Sequence, residues 1–146
     1  MSSFSVAVGL GCDRGTPLAT VRTAIEQALR QAGLQWGQVA VLATIDAKAD
    51  EPAFLQLAEA LARPLHFYPA EALARVPVPN PSATVLRFMG TPSVSEAAAL
   101  LAAETDTGSL LVEKHRYRGS CGRNATVSLA RVRAGAAHDT EHKERS

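Results

Sequence analysis

Apolar positions along this chain switch repeatedly between two periods. The runs SVAV at 5–8 and VAVLATI at 39–45 are short and β-rich, and each is followed by a segment whose apolar residues recur every three or four positions. The first run predicts a strand near 4–9. From Pro17 to Ala32, residues Leu18, Val21, Ile25, Ala28, Leu29 and Ala32 share one face, which predicts a helix. Thr16 is placed to cap it, Pro17 suits its first turn, and Gly33 suits its stop. The second run predicts a strand over 39–45. A second helix is expected over 52–62, with Phe54, Leu55, Ala58 and Leu61 inward and Asp50 or Glu51 at its start.

Further along, LHFY (65–68) reads as a short strand and EALAR (71–75) as one helical turn. VPVPNPS (76–82) holds three prolines and excludes regular structure. The apolar run TVLRFM (84–89) leads into a helix over 93–103, whose AAALLAA centre is apolar all round and so must be buried on more than one side. GSLLVEK (108–114) and ATVSLARV (125–132) predict two more strands, joined by the basic, glycine-containing loop HRYRGSCGRN (115–124). Strands alternating with helices predict an α/β three-layer sandwich around a mixed, mostly parallel sheet of about five strands. The closing pair lacks an intervening helix, which makes it an antiparallel hairpin. The reading is one domain over 1–133, followed by a disordered tail over 134–146 with no apolar periodicity.

Charge narrows the partners. Fifteen basic and 14 acidic residues leave a formal charge of +1, so no global field recruits nucleic acid or a membrane surface. Two cysteines, Cys12 and Cys121, form no C-x-x-C and suit a reducing compartment. No run approaches the roughly 20 apolar residues of a membrane span. The start MSSFSVAVGLG lacks a basic leader, so a cytoplasmic protein is expected.

Three loops share one design. GLGCDRGT (9–16), ATIDAKADE (43–51) and MGTPSVSEAAA (89–99) each run from an apolar stretch into a helix. A helix N-terminus offers unpaired N–H groups and a positive dipole end, so loops gathered at one sheet edge suit an anionic ligand. The candidate ligand-binding residues are Gly9, Gly11, Cys12, Arg14, Gly15 and Thr16 in the first loop. Asp46, Lys48 and Glu51 come from the second, Ser93, Ser95 and Glu96 from the third, and Lys114 from the last strand pair. Ser93-x-x-Glu96 is a capping-box pattern. The glycines read G-x-G-x-x-x-G, which departs from the dinucleotide fingerprint. Asp46, Glu51 and Cys12 are the candidate catalytic groups, the carboxylates as general bases and the thiol as nucleophile at a helix start. No His is committed to Cys12, and the Cys and His spacings match no zinc signature, so neither metal nor cofactor is expected. The basic loop is either a flap over a polyanion or a plain hairpin.

GLGCDRGT, LATIDAKADEPAFLQLA, PNPSATVLRFMGTPSVSEAAALLAA and LLVEK together resemble the CobE / CbiG C-terminal-domain family of cobalamin biosynthesis, over about residues 5–132. The family's first loop typically reads G-C-R-R-G, whereas Asp13 stands here in place of the first arginine. The resemblance implies a cytoplasmic, free-standing CobE-like protein that binds a precorrin or corrinoid intermediate. The implied role is carrier or accessory factor to other enzymes of the pathway. The alternative it implies is a hydrolase or lyase acting on a precorrin ring lactone. Such intermediates carry many carboxylate arms, which suits a rim built from Arg14, Lys48 and Lys114. The sequence does not locate the apolar floor such a ring needs, and it assigns no oligomeric state.

Overall fold

A computed structural model describes residues 4–46, 49–76, 94–105 and 107–133. Five strands form one sheet: β1 (Val6–Cys12), β2 (Val39–Ile45), β3 (Leu65–Tyr68), β4 (Leu110–Arg118) and β5 (Asn124–Arg131). Their order is β3-β2-β1-β5-β4. β1 and β3 each pair with β2 in parallel, whereas β5 runs antiparallel to both β1 and β4. Four strands therefore share a direction and β5 alone is reversed, giving the mixed, mostly parallel sheet that the alternation predicted.

Helices cover both faces. α1 (Leu18–Ala32) and α2 (Pro52–Leu61) lie on one side, where Val21, Ile25, Leu29, Phe54 and Leu57 meet Val6, Val8, Leu10, Val127 and Leu129. α3 (Ala70–Ala74) and α4 (Val94–Ala103) cover the other. There α4 buries Ala97, Ala98, Ala99, Leu100 and Ala103, as its all-round apolar character requires. Small residues let it come close. A Cβ built on Gly9 of β1 would overlap the Ser95 carbonyl oxygen and lie 2.8 Å from the Ala99 amide nitrogen. Ser95 Oγ lies 2.8 Å from Ser128 Oγ, which in turn donates to the Glu113 carbonyl. Those two bonds fix α4 on β5 and β5 on β4 where the helix touches the sheet.

Several boundaries differ from expectation. β1 runs to Cys12 because β5 pairs with it as far as Cys12–Ala125. Gly9, Leu10, Gly11 and Cys12 are thus strand residues, and the first loop is confined to 13–17. α1 starts at Leu18, with Pro17 at its cap and no side-chain capping bond. The Thr16 hydroxyl instead donates to the Asp13 carbonyl (2.6 Å), closing the turn before the helix. Gly33 ends α1 as expected. The basic loop is largely not a loop: His115 to Arg118 belong to β4 and only 119–123 turn. This short turn is also seated, because Gly119 is buried against Thr20 of α1. The 84–89 run, Lys48, Ser93 and the 134–146 tail lie outside the described residues.

Alanine at Gly9 inserts a methyl group into a backbone–backbone contact that cannot repack locally. Gly9→Ala is expected to lower unfolding free energy by about 3 kcal/mol or more, as overpacking of a tight core does. A urea unfolding midpoint unchanged from the parent would contradict this helix–strand approach.

Candidate functional site

The C-terminal edge of the parallel strands gathers the first two loops. β1 and β2 are neighbours pointing the same way, so the turns following them share an edge. Glu51, at the N-cap of α2, is 1% exposed. Its Oε2 accepts from the Gly15 backbone N–H (2.9 Å), and its Oε1 lies 3.7 Å from Arg14 Nη1. The same Arg14 nitrogen bonds Asp50 Oδ1 at 3.2 Å. Gly15 has φ of 79°, a left-handed turn that points its N–H at this carboxylate and that a side chain would strain. The expected anion cradle is thus partly filled by the protein's own acids. Gly9 and Gly11 direct their backbone into the ladder, Gly15 bonds Glu51, and Thr16 N–H bonds the Asp13 carbonyl (3.2 Å).

The β4–β5 turn is the third component. Asp13 Oδ2 accepts from the Asn124 backbone N–H (2.8 Å) and its side-chain amide (3.2 Å). Asp13 N–H donates in turn to the Asn124 carbonyl (3.0 Å). The position where the resembled family carries arginine is therefore a clasp for the hairpin. Beside it, the Arg123 guanidinium carbon lies 3.9 Å from where a Gly15 Cβ would stand. Sequence reasoning missed Asp13, Asp50 and Arg123 as parts of this edge, since their partners lie 36 to 111 residues away in the chain.

The remaining candidates divide. Asp46 is exposed just past β2, and its carbonyl accepts from Ala49 (3.0 Å). Cys12 is half-buried at the end of β1, and Cys121 is exposed in the turn; neither is in a disulfide. Ser95 and Glu96 are buried at the start of α4, on the other face of the sheet from Glu51. Lys114 is half-exposed on β4. Neither described imidazole is set to serve Cys12. His115 Nε2 lies 2.7 Å from Gln27 Oε1 and its Nδ1 lies 2.8 Å from Gln31 Nε2, which places the ring proton on Nε2 and ties β4 to α1. His66 stands on β3 beside Tyr68, 3.4 Å from its hydroxyl. Tyr68 has its pKa raised above 10 by burial first and by the Glu104 charge second. Among the described residues, no three His, Cys, Asp or Glu converge as a metal site, and no helix is long and apolar enough to cross a membrane.

The family model described as cobalamin synthesis G C-terminus matches residues 6–130. The chain belongs to that family. It is 39% identical over 111 residues to protein CobE of Sinorhizobium sp, covering 75% of this chain and 71% of that one. It is 33% identical over 127 residues to cobalt-precorrin-5A hydrolase of Priestia megaterium, covering 87% of this chain. The chain spans about a third of that hydrolase, 32% of its length. The fold matches the crystal structure of CobE, a protein from the cobalamin (vitamin B12) biosynthetic pathway. The TM-score is 0.72 at 35% identity, covering 89% of this chain and 92% of that one. The family places the chain in cobalamin biosynthesis.

Glu51 joins the two turns chiefly through its bond to Gly15, because the Arg14 side chain is 62% exposed and water screens its ion pair. Glu51→Ala is expected to cost about 1–3 kcal/mol in chemical unfolding. Glu51→Gln, which keeps an acceptor for Gly15, is expected to recover most of that loss. Equal losses in both variants would show that charge, not the loop bond, is what matters.

Proposed function

We propose that this protein binds a precorrin or corrinoid intermediate of cobalamin synthesis at the C-terminal edge of the sheet, as a carrier or accessory factor. The observation that carries the reading is the meeting of the first turn with the hairpin, where Arg123 comes against Gly15 while Arg14 stands on the same turn. Guanidinium groups suit the peripheral carboxylates of such rings. The match to protein CobE over most of both chains supports the same ligand class. A carrier needs complementary charge and a surface for the ring, not a nucleophile with its base. Both ring nitrogens of His115 are engaged by glutamines, which fits that lesser requirement.

One observation favours a second reading, hydrolysis of a precorrin ring lactone. Glu51 is a buried carboxylate whose Oε1 has no hydrogen bond among the described residues, a state suited to taking a proton from water. The relative named as a cobalt-precorrin-5A hydrolase belongs with this reading.

Titration of the purified protein with hydrogenobyrinic acid, followed by its visible bands, separates the two. A band shift with no change in the recovered compound is the expected result for a carrier. Tight binding of NAD or FAD without any corrinoid binding would overturn both readings. With a lactone-bearing intermediate, turnover abolished by Glu51→Gln while binding persists would select the hydrolase. Lys48, in the second loop, is a proposed carboxylate contact. Lys48→Ala is expected to weaken corrinoid binding by about ten- to a hundredfold at an unchanged melting temperature. Unchanged affinity would remove that loop from the site.

A further inference from the structure

The β4–β5 hairpin carries positive charge that no ion pair among the described residues neutralises. Arg14, Arg30 and Arg133 each form ion pairs, with Asp50 and Glu51, Glu26, and Glu104 respectively. Arg116 and Arg118 are exposed, and among the described residues neither forms an ion pair. In a chain whose formal charge is only +1, an unneutralised pair two residues apart is a local feature.

Strand geometry fixes where the two point. His115 bonds Gln27 and Gln31 of α1, and Tyr117 packs into the α1 cluster. Successive side chains on a strand face opposite ways, so Arg116 and Arg118 project from the α4 side of the sheet, with Cα atoms roughly 7 Å apart. Arg116 stands opposite Thr126, and Thr126 stands opposite Gly11. This row lies one step beyond Gly9 and Ser128, the row on which α4 begins. Gly11 and Thr126 are accordingly half-exposed. Among the described residues, a Cβ built on Gly11 would meet only Thr126 Cβ, at 4.0 Å. The result is a flat strip of sheet, bare of side chains at Gly11 and edged by two arginines.

We propose that Arg116 and Arg118 bind two carboxylate arms of the tetrapyrrole while its ring lies flat on the Gly11–Thr126 strip. This rests on the corrinoid-binding reading above and places the ligand on the α4 face of the edge. Charge complementarity selects the occupant: two guanidinium groups flanking a planar floor suit a planar polycarboxylate. It follows that the site prefers the free-acid form of the ring to the amidated form.

The test uses two coloured corrinoids, dicyanocobyrinic acid with free carboxylates and dicyanocobinamide with amides. Arg116→Gln and Arg118→Gln are each expected to weaken binding of the acid by about ten- to a hundredfold, since each removes a charged hydrogen bond. Arg30→Gln, remote on α1, is expected to leave binding unchanged. Gly11→Val, which suits a strand and enters open space, is expected to weaken binding at least tenfold with the melting temperature preserved. The amide form is expected to bind the parent protein weakly and to be indifferent to both arginine variants. Equal binding of the acid by parent, arginine variants and Gly11→Val would overturn this placement while leaving the corrinoid reading intact. Equal binding of acid and amide by the parent would overturn the carboxylate role. Failure of the parent to bind either compound would overturn the functional reading and this proposal with it.

Discussion

The reversed strand β5, inserted between β1 and β4, is the constraint on which the other features depend. Its ladder with β1 continues through Cys12, which turns the glycine-containing segment from a flexible loop into extended sheet. That extension carries the hairpin tip to the edge where β1 and β2 end. It also sets Ser128 beneath Ser95, so that α4 is seated by a hydroxyl pair as well as by its alanines. Without β5 in this position, Arg123 would not approach Gly15, and the strip beside Arg116 would have no neighbour.

Close approach on one face and ionic closure on the other give the site edge two characters. On the α4 side the backbone of Gly9 lies against helix backbone, and the contact is close-packed and unforgiving of added volume. On the α1–α2 side the contacts are polar: a buried carboxylate, a left-handed glycine whose N–H it accepts from, and an arginine shared between two acids. Polar closure engages the Gly15 and Thr16 amides of the turn that precedes α1.

Much of the architecture was legible in the sequence. VAVLATI and LHFY appear as strands over the predicted residues, and α1 starts within one residue of expectation and buries Val21, Ile25, Ala28 and Leu29 of its predicted face. These segments carry strong periodicity within a single window. Failures occur where the deciding partner is remote. Nothing local marks Gly9 to Cys12 as strand, since two of the four are glycines, which weaken a strand, and the pairing comes from residues 125–128. HRYR does alternate with period two, but charge on an edge strand reads as loop until His115 and Tyr117 are seen against α1. The design of loops feeding helices placed the first two loops on one edge, where the parallel pairing of β1 and β2 puts them. The bonds of Glu51 to Gly15 and of Asp13 to Asn124 join distant positions that no motif connects.

The Asp13 clasp ties residue 13 to residue 124 across 111 positions of the chain. Its carboxylate takes two donors from Asn124 and so fixes where the hairpin leaves the sheet. An arginine at position 13 would bring a donor where this chain has an acceptor, and the Asn124 donors at this exposed site would turn to water. The acidic clasp also withdraws one positive charge from the first turn, which leaves the electrostatic character of this edge to be set by the hairpin.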